Sequence, residues 1–245
     1  MSRYWNTGTF SQPSVDELRR RADASVKDAK KKGQVFEPAI PQKGSRTICS
    51  SWWGQAWCNN LEQYADYASR LERGRRYIRS GTVVDLKVGK GKVTARVQGT
   101  RKIPYKVEIR ISPLSEEKCQ RVIEKCGRRI QNMEELIYGK FPEDLKELFT
   151  QQEGLFPAPT EISFNCSCPD WALMCKHVAA AMYGIGLRLD ENPFFFFELR
   201  GIDVDRFINV ALESKVESML SHADNRTDRM LDIDPGEITE LFGVL

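Results

Sequence analysis

Three thiols and an imidazole fall inside one short stretch, FNCSCPDWALMCKH, from Phe164 to His177. Cys166, Cys168, Cys175 and His177 use three of the seven cysteines and one of the two histidines in the chain. These side chains are soft or borderline donors, the set that a tetrahedral zinc ion takes in a structural site. The spacing is C-x-C, six residues, then C-x-H. In extended chain, residues two apart point to the same side, so Cys166 and Cys168 reach one metal from a strand end or hairpin. Cys175 and His177 close the site from the start of the next helix. Pro169 and Asp170 turn the chain back, and Trp171 and Leu173 are expected to shield the metal. Four protein ligands leave no position for a reactive water, so one structural Zn²⁺ is expected, not a catalytic one. Three thiolates, a neutral imidazole and Zn²⁺ carry a formal charge of about −1, which Lys176 and the helix N-terminus offset.

The elements that must hold this cluster follow from periodicity. EISFNC reads as a strand leading into it. Val178, Ala181, Met182, Ile185 and Leu189 form the apolar stripe of an amphipathic helix starting near Lys176. Upstream, TVVDLKV, KVTARVQ and IPYKVEIRI alternate with period two, joined by GKG and GTRK. They predict an antiparallel meander, part of a small barrel or curved sheet. Its apolar face carries Val84, Leu86, Val88, Val93, Ala95, Val97, Ile103, Tyr105, Val107, Ile109 and Ile111. The fold class is therefore α+β: an antiparallel β-meander with flanking helices, a zinc-pinned strand–helix unit and C-terminal helices.

Residues 1–45 read as a basic arm and linker. Its helix is capped by Ser14, with Glu17 completing a capping box, and ends at Gly33. With almost no apolar face, it is expected to pack little. Residues 46–150 hold a helix carrying Trp52, Trp53, Trp57, Leu61, Tyr64, Ala68 and Leu71 at helical spacing, then the meander. A helix capped by Ser115 follows, with Cys119 and Cys126 as core thiols, and shorter helices around Met133–Tyr138 and Pro142–Thr150. Residues 151–190 hold the metal unit. Residues 191–245 read as helical, with Asn192 as a cap before Phe194–Phe197 and a second helix over Val204–Leu220.

Charge is unevenly placed. Met1–Arg110 has 23 Lys and Arg against 10 Asp and Glu, and Ile111–Leu245 has 14 against 24. A basic front half points to a polyanion, most often nucleic acid. Arg73, Arg75, Arg76 and Arg79 surround Tyr77, a pattern suited to phosphate contact and base stacking. Lys92, Arg96, Arg101 and Lys102 extend the basic character over the meander and its turn. The competing reading of these cations is a solvated surface. Paired carboxylates that could hold Mg²⁺ for a nuclease or transposase are confined to Asp203/Asp205 and Asp232/Asp234. They lack a nucleophilic partner and read as helix caps, so no enzyme is expected. His222 stands alone and reads as an exposed polar residue.

No run approaches the roughly 18 apolar residues needed to span a bilayer, and MSRYWNTGTF lacks the apolar core of a signal peptide. The expectation is a cytoplasmic protein, with association to the nucleoid open, in which clustered cysteines bind metal in preference to forming disulfides.

C-x-C-x₆-C-x-H followed by VAAAMYGIG resembles the SWIM zinc finger, ligand by ligand at Cys166, Cys168, Cys175 and His177. That motif occurs in bacterial Swi/Snf-associated proteins, transposases, plant regulators and recombination accessory proteins. More widely, SSWWGQAWCNNLE, SRLERGRRYIRSGTVVDLKV and VTARVQGTRKIPYKVEI resemble bacterial SWIM proteins often encoded beside a Swi/Snf-type helicase-like ATPase. The resemblance implies a non-catalytic accessory protein that contacts DNA or RNA, the ATPase, or both. A pure protein–protein adaptor is the alternative. It implies no catalytic residue.

Overall fold

Alternating residues between Thr82 and Ile111 fold as expected, into three antiparallel strands: β1 (Val83–Gly89), β2 (Lys92–Val97) and β3 (Tyr105–Ile111). The computed structural model describes residues 13–129, 146–150 and 154–223. A register shift between Val83 and Asp85 buries both Val83 and Val84, which strict alternation would place on opposite faces. Ile103 departs from expectation: it lies before β3 in the turn and is exposed. A fourth strand, β4 (Ile162–Cys166), pairs antiparallel with β3, so the sheet runs in the order β1-β2-β3-β4. The EISFNC segment is thus an edge strand of the same sheet as the meander.

The helices are α1 (Val15–Lys31), α2 (Trp52–Asn60), α3 (Ala68–Arg79), α4 (Glu116–Arg129), α5 (Lys146–Thr150), α6 (Lys176–Glu191), α7 (Phe195–Leu199) and α8 (Val204–Ala223). The mixture of helix and antiparallel sheet is the expected α+β class. α6 differs from its sequence reading. Every residue from His177 to Leu187, and Leu189, is buried, so α6 is a central helix and not an amphipathic one. It is sandwiched between the four strands on one side and α2 and α3 on the other. A helix apolar on all sides belongs in a core.

The aromatic segment from Trp52 to Leu71 is broken, not continuous. α2 passes into a 3-10 turn at Leu61–Tyr64, and α3 starts afresh at Ala68. Trp57 is fully buried and donates its indole N–H to the Met182 carbonyl at 2.9 Å. α3 crosses α6 at Gly74, where an added Cβ would meet the Ala179 Cβ at 2.5 Å and its carbonyl carbon at 3.0 Å. Neither atom can rotate away. Gly74→Ala would gain about 1 kcal/mol of helix propensity but overpack a rigid crossing, at a cost of about 1–3 kcal/mol. The expected net result is a lower melting temperature, measured by circular dichroism.

α1 also packs, contrary to its sequence reading. Ser14 caps it through the Glu17 N–H at 3.1 Å, and Gly33 ends it at φ +70°. The Glu17 carboxylate pairs with Arg21 at 2.6 Å. Leu18, Ala22 and Ala29 are buried, and Arg21 and Ser25 bond to Thr100 and Gln98 beyond β2. The segment after it hydrogen-bonds along β1, with Ala39 N–H to Val83 at 3.0 Å and Leu86 N–H to Glu37 at 2.9 Å. That covers an otherwise open sheet edge.

The Phe194–Phe197 run divides. Phe196 and Phe197 are buried and Phe194 and Phe195 half-buried, with Phe196 meeting Phe149 at 4.8 Å and Phe156 at 5.6 Å. Helix α7 begins at Phe195; the Asn192 side chain instead accepts the Phe194 N–H at 3.0 Å in the preceding turn. Cys119 is a buried thiol as expected. The Met133–Tyr138 helix, the first part of the Pro142–Thr150 helix, the Cys126 and His222 side chains, and Asp232/Asp234 lie outside the described residues. Among the described residues no helix is long and apolar enough to cross a membrane.

Candidate metal centre

β4 delivers Cys166 at its last residue, and the turn after it delivers Cys168. Cys175 stands at the N-cap position of α6 and His177 in its first turn. The three sulfurs and one imidazole nitrogen all lie within 4.8 Å of one another, so the group could hold one metal ion. Nδ1 of His177 faces the sulfurs, 4.0 Å from Cys166 Sγ and 3.9 Å from Cys175 Sγ.

Packed this closely without a cation, the thiols cannot ionise independently. Cys175 is pulled down to about 3, first by the hydrogen bond from Cys166 and, against the cost of burial, by His177. Cys166 is pushed up, first by that same bond and then by burial, and Cys168 is pushed up chiefly by burial. One thiolate is favoured at the helix N-terminus, and the others keep their protons unless a cation replaces them. A metal ion could take the place of the shared protons in such a cluster.

The imidazole is held by rings. Tyr105 stacks on His177 with centroids 4.2 Å apart, and Tyr77 meets it edge-on at 5.5 Å. Gly99 leaves room behind it: a Cβ there would come within 2.6 Å of Tyr105 and 3.2 Å of His177 Nε2. Nε2 is buried without a hydrogen-bond partner, so stacking and not a carboxylate fixes the ring orientation. Sequence reading missed Tyr77, Tyr105 and Gly99 as parts of this site. They come from α3 and the β2–β3 hairpin: packing of α3 on α6 brings Tyr77 to the cluster, and the pairing of β3 with β4 brings Tyr105 and Gly99.

The loop between the two ligand pairs inverts its expected orientation. Trp171 and Leu173 are 81% and 68% exposed, while Ala172 and Met174 are buried. They do not shield the metal. The loop is tied back elsewhere: Asp170 pairs with Arg70 at 3.1 Å and accepts the Ala172 N–H at 3.3 Å. Asp66 accepts the Leu173 N–H at 3.0 Å.

The basic candidates separate into groups. Arg101 and Lys102 are exposed in the β2–β3 turn, and the Arg101 guanidinium sits 5.2 Å above the Tyr105 ring, beside the centre. Arg73 is exposed on α3, and Lys176 lies 5.7 Å over Tyr77. The other arginines of α3 have structural bonds. Arg75 donates to the Tyr183 hydroxyl at 2.8 Å, Arg76 to the Pro13 carbonyl, and Arg79 to the Arg46 carbonyl at 2.6 Å. Lys92 pairs with Glu108 at 2.8 Å, and Arg96 with Asp85 at 3.7 Å while lying over Phe36. Asp203 accepts the N–H groups of Asp205 and Arg206 at 2.9 and 3.3 Å, capping α8.

No family model matches the chain, and no solved structure matches it. Among curated proteins it is similar to the uncharacterized protein Rv2102 of Mycobacterium tuberculosis. The two are 33% identical over 192 residues, which is 77% of this chain and 69% of the relative. That alignment is broad enough to show common descent, and the chain belongs to the family of this mycobacterial protein.

Proposed function

We propose that the protein is a non-catalytic accessory subunit of the SWIM-finger type. In this reading one structural zinc ion organises a nucleic-acid-binding surface that works beside a Swi/Snf-type helicase-like ATPase. The observation that carries the reading is the convergence of Cys166, Cys168, Cys175 and His177 Nδ1. Tetrahedral zinc, with bonds of about 2.3 Å to sulfur and about 2.0 Å to nitrogen, sets its ligand atoms roughly 3.5–3.8 Å apart. The 3.9 and 4.0 Å separations fit that tetrahedron after a small contraction. With four protein ligands the ion supplies folding energy and a rigid frame. Arg73, Arg101, Lys102 and Lys176 around the same centre suit phosphate, DNA or RNA, and in this reading the protein works in the cytoplasm or at the nucleoid.

Two measurements test this. Metal analysis of the purified protein is expected to give one zinc per chain. Oligonucleotide affinity is expected to fall steeply with salt, and Arg101→Glu with Lys102→Glu to weaken it and reduce the log–log salt slope by about 1–2. Both side chains are exposed, so folding is spared. An unchanged affinity and slope would remove the β2–β3 turn from the interface.

A second reading, a protein adaptor without nucleic-acid contact, is favoured by one observation. Leu212, Val216, Met219 and Leu220 are exposed along α8 at helical spacing. Affinity purification of the tagged protein with nuclease treatment separates the two. An ATPase retained after nuclease supports direct docking. Partners lost with the nucleic acid support the basic surface as the main contact.

A further inference from the structure

Trp171 is the most exposed large apolar side chain of the described residues, and the fold goes to some length to hold it there. Its loop runs between Cys168 and Cys175, both metal ligands, so the centre closes the loop at each end. Between them, Asp170 is fixed by Arg70 and Leu173 N–H by Asp66. Ala172 and Met174 are buried, which anchors the loop floor and forces its alternate residues outward. Tyr67, 47% exposed at the start of α3, meets the Trp171 indole edge-on at 6.1 Å. Two rings therefore stand in water on a rigid base, the opposite of what burial of apolar area would produce.

The charge around the pair selects the occupant. Tyr67, Arg70, Arg73 and Tyr77 follow one another at helical spacing along α3, and Arg73 lies about 9 Å along the axis from Tyr67. Arg21, Arg73 and Arg76 all act electrostatically on Tyr77, which meets His177, and Lys176 lies over the same ring. Arg101 covers Tyr105, which stacks on His177. The acids of the loop and its anchor, Asp170 and Asp66, are turned onto Arg70 and backbone N–H groups. Leu173, also exposed on this loop, adds apolar area, but the other neighbours of the pair along α3 are cations, and protruding aromatic rings beside cations match a ligand with stacked faces and a phosphate backbone.

We propose that Trp171 and Tyr67 form a stacking platform for the unpaired bases of a single-stranded nucleic acid, with its phosphates drawn along Arg73, Lys176 and Arg101. The inference rests on the nucleic-acid reading above and narrows it: bases in a duplex are already stacked on one another and offer no free face to the indole.

The test uses the full zinc-loaded chain and a fluorescein-labelled oligothymidylate of about 20 nucleotides, long enough for a typical single-strand site. A duplex of the same length is run beside it. Wild type is expected to bind the single strand more tightly, with quenching of tryptophan fluorescence. Trp171→Ala is expected to weaken that binding roughly 5- to 150-fold, the span of one base–aromatic stack. Trp171→Phe is expected to restore most of it, and Tyr67→Ala to lose a smaller part. Zinc content and melting temperature are expected to be unchanged in all three, since both rings are exposed. Tight single-strand binding that Trp171→Ala leaves intact would overturn the platform while leaving the nucleic-acid reading standing. Wild type binding neither oligonucleotide would overturn both. Loss of a purified Swi/Snf-type ATPase from Trp171→Ala, with oligothymidylate binding unchanged, would overturn the platform in favour of a protein contact.

Discussion

Cys168→Ser is expected to release the metal and unfold the domain, not only the loop that carries the ligand. A serine hydroxyl is a poor ligand for a soft site, and the remaining Cys166, Cys175 and His177 would leave the ion an open position. Structural zinc contributes on the order of 10 kcal/mol in small modules, comparable with the whole stability of an ordinary domain. The extent of the damage follows from α6. This helix begins at the Cys/His cluster and supplies the surface on which both the sheet and α3 pack. With α6 displaced, the apolar face of β1–β3 has no cover, so it is expected to fail as well. Elemental analysis and a thermal melt with and without a strong chelator check this. A variant with a full complement of metal and an unchanged melt would remove Cys168 from the site.

The second large effect is expected at Arg200, which sequence analysis did not single out. It is only 1% exposed. Its guanidinium donates to the Ser112 carbonyl at 2.7 Å and to both carboxylate oxygens of Glu161 at 3.0 Å, and its own carbonyl accepts the Leu114 N–H. One residue thus joins the end of α7 to the exit of β3 and the approach to β4. Arg200→Met keeps the aliphatic volume but leaves Glu161 beside an apolar chain. Breaking a buried pair from one side costs about 3–5 kcal/mol. Glu161 retains some access to water, so about 3 kcal/mol is expected, a fall of roughly 6–12 °C in melting temperature. The pair also carries a pH signature. Burial raises the Glu161 carboxyl, but the Ala158 N–H and Arg200 outweigh it and hold the group below its ordinary value of 4.5. A depressed carboxylate stabilises the fold above its unfolded value and ceases to do so as pH falls through the folded one. Wild type is therefore expected to lose part of its stability below about pH 4.5, and Arg200→Met to lose less over the same window. Chemical denaturation at several pH values separates the two curves.

How much was legible beforehand depended on whether a signal was local. The four clustered side chains could be named from sequence because thiol and imidazole chemistry is written in residue type and their short spacing keeps each pair together. The meander was legible because alternation over Thr82–Ile111 is long. α6 was misread because periodicity seeks one apolar face, and its small residues, Ala179 to Ala181, Gly184 and Gly186, are tolerated on every face. The loop orientation was misread because nothing in DWAL distinguishes an indole covering a metal from one facing water. Arg70, which donates to Asp170, and Asp66, which accepts the Leu173 N–H, lie about a hundred residues away and make that choice. The basic residues were identifiable as a set but not by task. Arg75, Arg76 and Arg79 are bonded into the fold, and only contact partners reveal it.

The central placement of α6 also has a consequence for synthesis. Gly74 and Ala179, which touch in the finished fold, are far apart along the chain. At about 5–20 residues per second, the ribosome needs roughly 5–20 s to traverse the interval between α3 and α6. For the later part of it, roughly 3–13 s from Ile111 to Lys176, the three completed strands lack the helix that covers their apolar face. The sheet therefore gains its central partner only when Cys175 and His177, which open α6, have been made, so the core of the molecule is completed late in synthesis.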